Sequence, residues 1–177
     1  MEITFKRDED GVCVTSALRN DGVLLQVPTY DRVSRLPHDM AHCLVERELG
    51  LRRGFWGSVA EGALFPGILV VSGRQPVHAT ARSQAILSEM GQQGTEAEVF
   101  VSLFVEIMEK GTDAHEAALR KALSAMWRPS KPSRALPNTE EARRVCAALR
   151  NAQQQWQALK PGESLTVTWP YAKHSKR

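Results

Sequence analysis

The chain has 177 residues, of which 42% are hydrophobic and 24% charged. That balance belongs to a single soluble domain with its own core, and it excludes global disorder and disulfide-stapled classes. Lys and Arg number 23 against 20 Asp and Glu. An excess of this size does not mark a nucleic-acid binder.

Compartment follows from small signals. Cys13, Cys43 and Cys146 are scattered, with no CxxC spacing, and fit free thiols in a reducing compartment. The first residues, MEITFKRDEDG, lack the apolar core of a signal peptide. The longest apolar runs, such as 68–71, are far too short to span a bilayer. A cytoplasmic location without membrane partners is the expectation. Residues 1–170 read as one domain, and 171–177 as a short basic tail of a kind often disordered.

The N-terminal third reads as a meander. Ile3 and Phe5 alternate with Thr4 and Lys6. Two turn signals, Asp10-Gly11 and Asn20-Asp21-Gly22, separate this run from Val12–Thr15 and Val23–Val27. Asp-Gly supplies the positive φ of tight hairpins, so three antiparallel strands are predicted. From Leu36 to Leu49 the period becomes helical, with Pro37 in the first turn and Gly50 as the stop. Met40, Ala41, Leu44 and Val45 form its apolar stripe. Gly54-Phe55-Trp56-Gly57 breaks the pattern, which resumes to Pro66-Gly67, and Ile68–Val71 reads as a short strand.

The second half reads as mostly helical. A helix is predicted over Ala81–Met90. A second starts from a Thr95/Glu98 capping box and runs, apolar nearly all round, to Lys110 as the central buried helix. Asp113 with Glu116 caps a third, and 128–137, RPSKPSRALP, is a loop. Asn138 with Glu141 caps the last helix, whose residues Ala142, Val145, Leu149, Ala152, Trp156 and Leu159 form a packing seam. Leu165, Val167 and Trp169 alternate with threonines in a final strand expected to rejoin the N-terminal sheet. The fold class is therefore α+β: a small antiparallel sheet, N-terminal meander plus C-terminal strand, packed against four to five helices.

One segment bears chemistry. His38 and His42 lie four apart on the first helix, so their side chains share a face about 6 Å apart. With His38 as zero and about 100° per residue, His42 falls near 40°, Glu46 near 80° and Asp39 near 100°. The apolar stripe lies opposite. Two imidazoles so placed can share zinc or another divalent transition metal. The helix N-terminus also disfavours a charged His38, which favours its metal-ligating form.

This HDxxH run resembles the HExxH helix of zincin metalloproteases. The resemblance implies His38 and His42 as ligands and Asp39 in the place of the base that orients the attacking water. The family's residue there is Glu, one methylene longer. A third ligand is required. Glu61, with residues 43–60 between it and His42, stands where one zincin branch places a Glu. Glu46 is the other candidate, although His38 to Glu46 spans about 12 Å of straight helix. His78 and His115 stay open. The longer run LPHDMAHCLVERELGLRRGFWGSVAEGALF resembles the signature of a family of uncharacterised bacterial proteins with an LPHDxxH…GFWG core, which implies a bacterial source and a functional segment.

Other readings compete with this one. Asp39 is also an ordinary N-terminal helix acid, and the two histidines an ordinary polar face. Phe55 and Trp56 either line a ligand pocket or anchor a turn in the core, the second being commoner. Arg52 and Arg53 either hold an anionic ligand or solvate a helix end. An HD-type phosphohydrolase needs a histidine before the His-Asp pair, and His38 is the first in the chain. Cys43 points about 100° away from His42, which disfavours a thiol nucleophile. The basic residues Arg128, Lys131, Arg134, Arg143 and Arg144 lack the interleaved aromatics of a nucleic-acid groove. Two functions therefore stand: a metal-binding protein with hydrolase potential, and a non-catalytic domain that binds a ligand, a protein partner or its own copy.

Overall fold

The computed structural model describes residues 1–28, 35–125 and 135–170. The predicted C-terminal tail and most of the 128–137 loop lie outside the described residues.

Five antiparallel strands form one sheet. They are β1 (Glu2–Arg7), β2 (Cys13–Leu18), β3 (Leu24–Val27), β4 (Leu69–Ser72) and β5 (Ser164–Thr168), in the order β4-β3-β2-β1-β5. The first hairpin is held by Asp8, whose Oδ1 accepts the N–H groups of Asp10 (3.0 Å) and Val12 (2.7 Å). The last strand does return to the N-terminal sheet, with Ile3 opposite Val167 and Phe5 opposite Leu165. The period-2 pattern decides which face is covered. Ile3, Phe5, Cys13, Thr15, Ala17, Leu25 and Val27 are buried beneath the helices, while Glu2, Lys6 and Gln26 stay outside.

Five helices supply the second layer: α1 (His38–Leu49), α2 (Phe55–Glu61), α3 (Ala79–Lys110), α4 (Glu116–Ala125) and α5 (Thr139–Ala158). The α+β expectation therefore holds. In α1 the stripe Met40, Ala41, Leu44 and Val45 is buried as its spacing requires, and Gly50 ends the helix in the left-handed region. In α5 the capping box is complete: Asn138 Oδ1 accepts the Glu141 N–H, and Glu141 Oε2 accepts the Asn138 N–H. Its seam residues Ala142, Val145, Leu149 and Trp156 are buried. The C-terminal half of α3 is the central helix, burying Phe100, Val101, Phe104, Ile107 and Met108 between α1 and α5.

Two expectations are overturned. Asp113 does not cap α4: it lies in the 3₁₀ turn Thr112–Ala114, and its carboxylate accepts from Arg150. Thr95 and Glu98 do not cap a helix start. The helical path breaks earlier, at Gly91 (φ 46°, ψ −129°), and Thr95 lies inside α3. Only glycine reaches that backbone conformation cheaply, so the break falls there and not at the Thr. The Glu98 side chain is left free for another task.

Candidate metal centre

The site forms where α1 crosses α3. His38 and His42 stand one turn apart on α1, with ring centroids 4.7 Å apart and planes at 72°. Glu98 approaches from α3. Its Oε2 lies 3.1 Å from His42 Nε2 and 3.8 Å from His38 Nε2. One ligand atom from each of the three residues falls within 4.8 Å of the other two, and no other group of three or more such residues does so among the described residues. His42 is buried, whereas the His38 and Glu98 side chains are 54% and 61% exposed. The site thus has a fixed inner donor and an open outer rim.

The donor set fits a divalent transition ion. Two imidazole nitrogens, which are borderline donors, and one harder carboxylate oxygen form a set that zinc takes. The third residue of the group is Glu98, and neither Glu61 nor Glu46, which were expected there, belongs to it. Glu61 ends α2 outside this group, and its main-chain carbonyl accepts from Arg82 Nε at 3.0 Å. Glu46 is fully buried behind His42. Its Oε1 accepts the Phe55 N–H at 2.9 Å and lies 3.2 Å from His42 Nδ1, and its Oε2 accepts the Trp56 N–H at 2.9 Å. His78 and His115 also fall outside the group.

The Gly-Phe-Trp-Gly turn makes this arrangement possible. A Cβ on Gly54 would lie 2.4 Å from Glu46 Cδ, so any side chain there collides with the carboxylate. A Cβ on Gly57 would lie 2.0 Å from the Arg52 carbonyl oxygen, so the tight passage of the chain needs the second glycine too. Trp56 is completely buried, edge-on to Phe5, and donates its indole N–H to the Asp39 carbonyl at 2.8 Å. It is a core anchor that ties α2 to α1, and the ligand-lining role is corrected for it. Phe55 is half-buried and stands edge-on to His42, with centroids 6.4 Å apart, as a wall of the site.

The remaining expected residues are not part of the three-donor group. One Asp39 oxygen accepts from Thr15 Oγ1 at 3.3 Å, which turns the carboxylate toward β2. Arg52 and Arg53 are exposed, and Arg53 pairs with Glu89 of α3 at 3.2 Å.

Charge at the site follows from its hydrogen bonds. Burial pulls the His42 pKa down, but the bonds and charges of Glu46 and Glu98 together outweigh it and raise it to about 9. The bond to His42 lowers the Glu98 pKa against partial burial. Burial pushes Glu46 above the usual carboxylate range, opposed by His42 and the Trp56 and Phe55 amides. Amide N–H groups only donate, so both Glu46 oxygens are held as acceptors.

Glu98 is 56 positions from His42 and had a local explanation in the Thr95 spacing. Only the crossing of α1 and α3 reveals it. No protein-family model, no curated protein and no solved structure matches the chain.

Proposed function

We propose that the protein binds one divalent transition-metal ion, zinc being the reference case, through His38, His42 and Glu98. The observation that carries this reading is the convergence of three donor atoms within 4.8 Å from two helices. Three protein ligands with an exposed rim match the pattern of catalytic rather than closed structural sites. When bound, such an ion supplies Lewis acidity for hydrolysis. The chain's own residues hold the inner donor rigidly, wall it with Phe55 and leave the outer side open to a substrate.

Elemental analysis of untagged protein, purified without chelator, tests the proposal. The wild type is expected to carry about one metal per chain, and His38→Ala/His42→Ala and Glu98→Ala to carry none. A wild type that remains metal-free after dialysis against zinc overturns it. The second reading, a non-catalytic interaction domain, is favoured by one observation. The outermost strand β4 exposes Leu69 and Val71, at 61% and 55%. Absence of metal, together with self-association in sedimentation that Val71→Lys abolishes, would favour that reading instead.

A further inference from the structure

We propose that Glu46 is the positioning residue of this site: it holds His42 in the tautomer that offers Nε2 to the metal. The inference rests on the metal reading above. It begins from the two amides. Phe55 N–H and Trp56 N–H reach Oε1 and Oε2 at 2.9 Å each, so the carboxylate is anchored as an acceptor before the imidazole is considered. With that carboxylate ionised it can only accept, so the His42 nitrogen that faces it, Nδ1 at 3.2 Å, donates. An imidazole protonated at Nδ1 carries its lone pair on Nε2. Nε2 is the atom that points at Glu98 Oε2, 3.1 Å away, in the group with His38. A carboxylate behind a ligating histidine fixes the ring and raises its basicity.

The same carboxylate occupies the start of α2, which has no side-chain cap of its own because its N-cap is Gly54. Glu46 therefore joins two tasks. It satisfies the first amides of α2 and aims the imidazole of α1. The glycine that a Cβ-bearing residue cannot replace at 54, and the buried Trp56 that pins α2 to Asp39, belong to the same device.

The test uses ¹⁵N-histidine-labelled full-length protein and zinc. In the zinc-loaded wild type, long-range ¹H–¹⁵N spectra are expected to show His42 metal-bound at Nε2 and protonated at Nδ1. Glu46→Gln puts an amide donor against one of the backbone N–H groups, and zinc affinity, read by competition with a chromophoric chelator, is expected to fall 10- to 100-fold. Metal at Nδ1 in the wild type overturns the proposal, whether or not the variant folds. So does a folded Glu46→Gln that binds zinc as tightly as the wild type. A wild type that binds no zinc overturns the metal reading itself, which separates the two failures.

Discussion

Gly54→Ala isolates the contact on which the site depends. Gly54 sits at φ −75°, ψ −167°, which alanine adopts without strain. On backbone grounds alone the substitution would stabilise the protein by about 0.4–1 kcal/mol through the unfolded chain. Sterics reverse the sign. The new Cβ would meet Glu46 Cδ at 2.4 Å, where 3.4 Å begins ordinary contact, so the carboxylate must retreat by the 1.0 Å difference. A retreat of that size stretches the two 2.9 Å bonds from Phe55 and Trp56 toward an upper limit of roughly 3.9 Å, beyond hydrogen-bonding reach. Each is an amide bond to a buried carboxylate, worth about 1.5–3 kcal/mol, so losing both costs about 3–6 kcal/mol. For a chain of this length, 3 kcal/mol lowers Tm by about 6–12 °C. Urea unfolding followed by circular dichroism measures it. Gly94→Ala is the control, because its nearest neighbour is the flexible Met90 methyl and the helix gains from alanine. A Gly54→Ala protein within about 0.5 kcal/mol of wild type would refute the close approach and the Glu46 cap with it.

Two further outcomes are expected. Metal-free protein in chelator should lose stability as pH rises from 6.5 through about 9, because the raised His42 pKa makes the protonated ring the stabilised form; zinc should reverse the trend by taking the place of the Nε2 proton, and Tm against pH with and without zinc reads both. All three cysteines are buried, and burial raises the Cys43 pKa far above its ordinary value and that of Cys146 to about 12, so a thiol reagent at pH 8 should label the native chain only as it unfolds.

The fold was legible where local pattern and burial agree. Alternation at Ile3/Phe5 and Leu165/Val167 marks strands because one face must be covered, and the β1–β5 register puts those residues opposite each other. The α1 stripe and the Asn138 box were equally plain, since both depend on residues within one turn or two. The site was half legible for the same reason. His38, His42 and Glu46 share a helix face, so their proximity follows from spacing. Their roles do not. Whether Glu46 ligates or braces depends on where the α2 amides fall, and that is set by Trp56 packing on Phe5 and Asp39. Glu98 was hidden behind a spacing that also describes a capping box, and Gly91 moved the break away from it.

Glu46 could be explained by the fold alone, and the difference is measurable. A fully buried carboxylate is costly unless donors surround it. If capping α2 were its only task, a Ser at the N-cap would serve, with its hydroxyl accepting from the Trp56 or Gly57 N–H. Position 54 instead holds glycine, and the cap comes from another helix together with a third contact, to His42 Nδ1. Glu46→Ala/Gly54→Ser separates the tasks, because removing the Glu46 side chain clears the space that the new Cβ needs. Relative to Glu46→Ala, the double variant should recover about 1 kcal/mol from the local cap. Its zinc affinity should stay at the level of Glu46→Ala, since the carboxylate that accepts from Nδ1 is gone. Recovery of zinc affinity along with stability would mean that the buried carboxylate serves only the helix, and that the imidazole is aimed by packing against Phe55.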